Sequence, residues 1–162
     1  ATLPGGTLTA STRAKGEHMA TDRRAEVTWK GSLTDGSGTI TRTTSGAIGE
    51  QPVSWAARSE DATGGKTSPE ELIAAAHASC FSMALSSGLA KAGTPPDELE
   101  TSATVTFQPG EGITKIALTV EGSVPGLDEN GFLEAAKTAK QNCPVSKALA
   151  AVPEITLEAK LR

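Results

Sequence analysis

Thr67-Ser68-Pro69-Glu70-Glu71-Leu72-Ile73-Ala74-Ala75-Ala76-His77-Ala78-Ser79-Cys80-Phe81-Ser82-Met83-Ala84-Leu85 is the stretch on which the fold turns. Ser68 suits a helix N-cap and Pro69 the first helical position; Glu71, three residues past the cap, completes a capping box. The helix is predicted to run to about Lys91, with Gly93 stopping it. No charged residue occurs from Leu72 to Ala90, a length that raises a membrane span. His77, four serines and the lack of a second apolar segment argue against one. A helix apolar nearly all round needs cover on every side, and a single sheet covers only one. The same helix of a second chain, across a dimer axis, is the economical cover.

Upstream of this run the chain reads as short strands. Val27 and Trp29 alternate with polar neighbours, Gly31 and Asp35-Gly36 punctuate a turn, and Gly38 to Thr44 returns as the second strand of a hairpin. Gln51 to Arg58 is a third, weaker strand, and Ser59 to Thr67, with Gly64-Gly65, is a loop. Downstream, Leu99 to Gln108 and Ile113 to Val124 alternate as long strands joined by Pro109-Gly110-Glu111-Gly112. Asp128 caps an amphipathic helix from about Glu129 to Gln141. A short helix opens at Cys143-Pro144 and continues to Ala151, and Ile155 to Leu161 closes as a strand. Strands grouped together, instead of alternating with helices, give an α+β class. Residues 1–18 carry no apolar signal segment and read as an expression leader or disordered tail, leaving 19–162 as a single domain that starts at Met19. With no targeting motif, the expected location is cytoplasmic.

Composition narrows the function. Fifteen Lys and Arg stand against nineteen Asp and Glu, for a formal charge of −4, and no basic run occurs, so neither nucleic acid nor an anionic membrane is an expected partner. Aromatic residues, at 3% and with no Tyr, are too few for a base-stacking platform. Phosphate-binding glycine loops, HExxH and CxxC motifs are absent, and the two His and two Cys lack zinc-ligand spacing.

The chemistry therefore rests on the two cysteines. Cys143, before Pro144 at a helix start, has free N–H groups nearby that favour a thiolate. Cys80 is mid-helix and needs a neighbouring cation to ionise; without one it is a small core hydrophobe. Three residues separate His77 from Cys80, so the two share a helix face, which permits either a Cys–His nucleophile pair or a structural histidine. Read locally, Glu70 is a helix-start acid and Arg58 a cation on a strand end.

The central run resembles the central-helix signature of the osmotically inducible protein C family. Asn142-Cys143-Pro144-Val145-Ser146-Lys147-Ala148-Leu149 is similar to its second cysteine box; Ile113-Thr114-Lys115-Ile116-Ala117-Leu118 and Val124-Pro125-Gly126-Leu127-Asp128 also fit, so the likeness extends from about Ala25 to Leu161. It is nearer to that branch than to the organic hydroperoxide resistance proteins, where a Tyr commonly replaces His77. Ser68 departs from the Asn of many relatives, but both are good N-caps.

The resemblance implies antiparallel sheets around a long buried central helix and an intertwined homodimer with two sites at its interface. It implies a thiol-dependent peroxidase for organic hydroperoxides and hydrogen peroxide, reduced by a dithiol such as a dihydrolipoamide-bearing protein, with no metal or flavin. By motif position Cys80 is the peroxidatic cysteine, Cys143 the resolving one, Glu70 the catalytic acid and Arg58 the arginine, with Arg42 as the alternative. A guanidinium beside Cys80 would reconcile this with the local preference for Cys143 as the more acidic thiol. Ten residues of straight helix carry Glu70 about 15 Å from Cys80 and about 80° round the axis. Glu70, with Arg58, is therefore expected to serve the cysteine of the other subunit. Two rival functions stay open on the sequence: a Cys/His hydrolase using Cys80 and His77, and a non-catalytic binding module.

Overall fold

Alternating apolar and polar residues from Ala25 onward build a first sheet of three antiparallel strands, β1 (Ala25–Lys30), β2 (Ser37–Thr43) and β3 (Gln51–Val53). The structure, a computed structural model, describes residues 20–60 and 63–162, and the leader read at 1–18 lies outside them. Trp29 pairs with Gly38 across the hairpin, and a Cβ at Gly38 would stand 2.7 Å from the indole ring and 2.8 Å from Val53 Cγ2. Only glycine admits that close approach.

The third strand is shorter than the weak candidate read from Gln51 to Arg58. It ends at Val53 because Ser54 caps a short helix, α1 (Trp55–Ser59), its hydroxyl accepting the Ala57 N–H at 3.2 Å. Arg58 accordingly stands on a helix, not on a strand end.

The central helix, α2 (Pro69–Lys91), starts and stops as its capping residues dictate. Ser68 Oγ accepts the Glu71 N–H, and Gly93 beyond the helix takes a φ of +88°. Its buried positions His77, Phe81, Leu85 and Leu89 recur every fourth residue and make one stripe. That stripe faces β4 (Glu98–Gln108), α3 (Glu129–Asn142) and α4 (Pro144–Ala148). Phe81, Leu85 and Leu89 join Leu118, Val120 and Phe132 in one core, where each such side chain contributes roughly 1.5–3 kcal/mol on burial. The other side of α2 lies open in the single chain: Ala75, Ala76, Ser79 and Ser87 are exposed, and Met83 is 69% exposed. One chain thus covers one side of a helix whose sequence calls for cover all round.

The second sheet corrects the expectation of purely antiparallel sheets. β4 pairs antiparallel with β5 (Gly112–Ser123), whereas β6 (Glu154–Leu161) runs parallel to β5. The reason is topological: α3 and α4 lie between β5 and β6, and such a crossover returns the chain in the same direction. α3 packs closely on this sheet, since a Cβ at Gly122 would lie 2.6 Å from the Phe132 ring.

Candidate active site

Two polar clusters lie on α2, near its start and at its middle. At the start, Glu70 occupies the first helical turn, behind the Ser68 cap, and its carboxylate is almost buried, with 8% of the side chain exposed. A carboxylate so placed needs a partner, and Arg58 supplies one in two-pronged fashion: Nη2 donates to Oε1 at 2.9 Å and Nε to the same oxygen at 3.0 Å, with Oε2 at 3.3 Å. The guanidinium also lies over Phe107, 4.2 Å from the ring centre, and Trp55 meets that ring edge to face at 6.0 Å. Arg58, Glu70, Ala74, Val105 and Phe107 line part of a cavity of about 340 Å3. Sequence reading found the charge pair but missed Phe107 and Trp55, because nothing in one strand's alternation says which aromatic lies beneath a distant arginine.

At the middle of α2 the two thiols meet. Cys80 is half-buried and Cys143, at the N-cap of α4, is fully buried; both are free, and Cys80 packs against the core cluster to which Cys143 belongs. Burial pushes the Cys80 thiol up, outweighing the Val145 backbone N–H, and contact with Cys143 pushes the same way. Cys143 is moved down overall. Burial works against it, yet the N–H and hydroxyl of Ser146, the Cys80 thiol and the Val145 N–H together outweigh burial. Within one chain, then, Cys143 is the more acidic thiol of the two, as the local reading expected.

His77 turns away from the nucleophile role that its spacing permits. Its Nε2 lies 2.6 Å from Ser146 Oγ, while Nδ1 is buried without a partner among the described residues. Burial and the charge of Lys140 lower its basicity, so it is neutral at pH 7. Ser146 donates its backbone N–H to Cys143 Sγ at 3.5 Å. Sequence reading passed over Ser146; its position three residues past Cys143, the spacing of a cap and its first bonded N–H, is the signal that could have found it.

The two clusters do not merge in one chain. α2 is unbroken from Pro69 to Lys91, which keeps Glu70 about 15 Å along the axis from Cys80. Neither thiol lines the cavity shared by Arg58 and Glu70. Arg42, the alternative arginine, sits exposed on β2 and pairs with Glu26 at 2.7 Å. Among the described residues no group of three His, Cys, Asp or Glu side chains could hold a metal ion.

The sequence model of the family described as OsmC-like protein matches residues 62–158. The chain is 44% identical over 147 residues to Peroxiredoxin OsmC of Escherichia coli (strain K12), spanning 89% of this chain and 99% of that protein. Among solved structures, the organic hydroperoxide resistance protein OhrB of Bacillus subtilis matches with a TM-score of 0.55 and 26% identity, over 86% of this chain and 98% of that one. An organic hydroperoxide resistance protein from Elizabethkingia anophelis shares the fold, with a TM-score of 0.62 and 23% identity over 89% of this chain and 100% of its own.

Proposed function

From the premise that this chain belongs to the OsmC-like protein family, we propose that it is a thiol peroxidase that reduces organic hydroperoxides and hydrogen peroxide, with Cys80 attacking and Cys143 resolving. The observation that carries this reading is the contact between two free thiols across α2 and the start of α4, one half-exposed and one buried. The Cys80 thiolate attacks the distal peroxide oxygen, the O–O bond breaks, and the alkoxide leaves as alcohol once protonated. Cys80 is left as a sulfenic acid, which condenses with Cys143 to a disulfide and releases water. An external dithiol, of the dihydrolipoamide type, restores both thiols, and cytoplasmic reducing conditions suit this cycle.

Among the described residues of a single chain no cation acts on Cys80, and its thiol is pushed up rather than down. The missing charge is ascribed to a second copy. In this reading two chains pack their open α2 faces together as an intertwined homodimer, and the Arg58–Glu70 pair of one subunit lies beside Cys80 of the other. Arg58 then lowers that thiol's pKa and steadies the departing alkoxide, while Glu70 fixes the guanidinium. The exposed Met83 face and the wide separation of Glu70 and Cys80 along α2 support this arrangement. A hydrolase built on Cys80 and His77 is disfavoured, since His77 bonds to Ser146.

Intact-chain mass after one equivalent of cumene hydroperoxide tests the reading. The expected result is a loss of two protons shared between Cys80 and Cys143; unchanged thiols would overturn it.

A further inference from the structure

On the reading that Cys143 is the resolving thiol, we propose that Ser146 and His77 are positioning residues for it. They form a line of hydrogen-bond donors that holds Cys143 ready both to attack oxidised Cys80 and to leave when the disulfide is reduced.

The direction of the line follows from one orphaned atom. His77 is fully buried, its Nε2 is 2.6 Å from Ser146 Oγ, and its Nδ1 has no partner among the described residues. A neutral imidazole carries one N–H, and a buried N–H without an acceptor is costlier than a bare lone pair. The proton therefore belongs on Nε2, which donates to Ser146 Oγ. That oxygen's own hydrogen is then free to point at Cys143, whose sulfur also takes the Ser146 backbone N–H at 3.5 Å. In this proposal the hydroxyl joins the backbone N–H of the same residue on one sulfur, and His77, bonded to the hydroxyl oxygen, fixes its rotation.

The surroundings favour the same charge state. Burial, and after it the charge of Lys140 on α3, disfavours protonation of His77, so it stays a donor and does not become a second cation. Ser146 lines a cavity together with Lys137, Lys140 and Lys147, and no carboxylate lines that cavity. The other titratable group in contact with Cys143 is Cys80 itself.

Two steps use this arrangement. In the first, the Cys143 thiolate attacks the sulfur of Cys80 sulfenic acid; the S–S bond forms, the S–O bond breaks, and hydroxide leaves to become water with a proton from solvent. In the second, one thiolate of a dithiol reductant attacks the disulfide at Cys80, the more exposed sulfur, and Cys143 departs with the electron pair. A leaving thiol of lower pKa departs faster, so the donor line also selects which sulfur is attacked. The reductant's other thiol then displaces Cys80, and the reductant ends as a disulfide.

The test is a single turnover of the whole protein with one equivalent of cumene hydroperoxide, over a series of pH values from mildly acid to alkaline. Trapping with dimedone counts sulfenic acid, and intact mass counts disulfide. In Ser146→Ala, disulfide formation at neutral pH should slow about tenfold relative to Cys80 oxidation, the effect of raising the thiol by about one pKa unit. It should recover as pH rises, and Ser146→Thr should restore the wild-type profile. His77→Gln, which keeps a donor in place of Nε2, should stay nearer to wild type than Ser146→Ala does. No change in Ser146→Ala, or equal slowing at every pH, would overturn the donor line while leaving the peroxidase intact. Failure of the unaltered protein to form any disulfide would overturn the peroxidase reading and the donor line with it.

Discussion

The guanidinium of Arg58 grips the Glu70 carboxylate through Nε and Nη2, at 3.0 and 2.9 Å, while its face rests on the Phe107 ring. The arginine is thereby fixed in plane and in rotation, which a lysine could not reproduce. Arg58→Lys should keep the charge and lose the geometry, lowering kcat/KM for cumene hydroperoxide by about tenfold or more. Arg58→Ala should in addition cost on the order of 1–3 kcal/mol of stability in urea unfolding, less than for a fully buried pair because a third of the guanidinium side chain meets solvent. Unchanged kcat/KM in Arg58→Lys would remove the arginine from the reaction.

Service across the dimer is tested by mixing inactive subunits. Cys80→Ser lacks the attacking thiol and Arg58→Ala lacks the cation, so each alone should be nearly inactive. Unfolded and refolded together in equal amounts, they form hybrids in half the dimers, each with one complete site if Arg58 acts on the other chain. Activity near a quarter of wild type is then expected. No recovery would show that Arg58 and Cys80 work within one chain.

Met83, 69% exposed on the open side of α2, should be buried when two helices meet. Met83→Asp would place a carboxylate in that contact. Sedimentation should show the dimer giving way to monomer, with peroxidase activity falling in step and helical circular dichroism retained. A Met83→Asp protein that stays dimeric and active would exclude this face as the contact.

His77 gives a pH dependence with a definite sign. Its folded pKa is lowered by burial and Lys140, so the unfolded chain binds the proton more readily than the folded one. The contribution is fully present above the unfolded value of about 6.5 and is lost as pH falls from there through the lower folded value. Stability by urea unfolding should fall with acidification below about pH 6.5, by at most about 1.4 kcal/mol per pH unit from this group. His77→Gln should flatten that slope; an identical slope would mean that other groups produce it.

Gly122 has no room for a side chain, because a Cβ would meet the Phe132 ring at 2.6 Å and Leu99 Cδ2 at 3.1 Å. Gly122→Ala should destabilise by about 1–3 kcal/mol through overpacking. A compensating Phe132→Leu in the same chain should recover part of that loss, and additive losses would indicate a different cause.

Local signals carried much of this molecule into view. Ser68, Pro69 and Glu71 define the start of α2 and Gly93 its end, and the alternation through β4 and β5 gives a hairpin of nearly the expected extent. Misreadings fell where a local pattern had two outcomes. Gln51 to Arg58 reads as one weak strand, but the Ser54 hydroxyl offered a cap and the chain coiled from Trp55 onward. The parallel pairing of β6 depends on how two helices return the chain, which no short window contains. The site shows the same division. Cys80, Cys143, Glu70 and Arg58 stand out by residue type and motif, whereas Ser146 and Phe107 acquire meaning only from neighbours far away in the sequence.

α1 follows β3 directly, and Val53 bridges to Thr67 just before α2 begins. The Arg58–Glu70 bond therefore straps the segment that carries the first sheet to the body of the molecule. One electrostatic contact serves as both chemical furniture and mechanical tether, so loosening it would slacken an entire arm. Proteases that cut between Val53 and Thr67 would sense that slackening well before the core gave way.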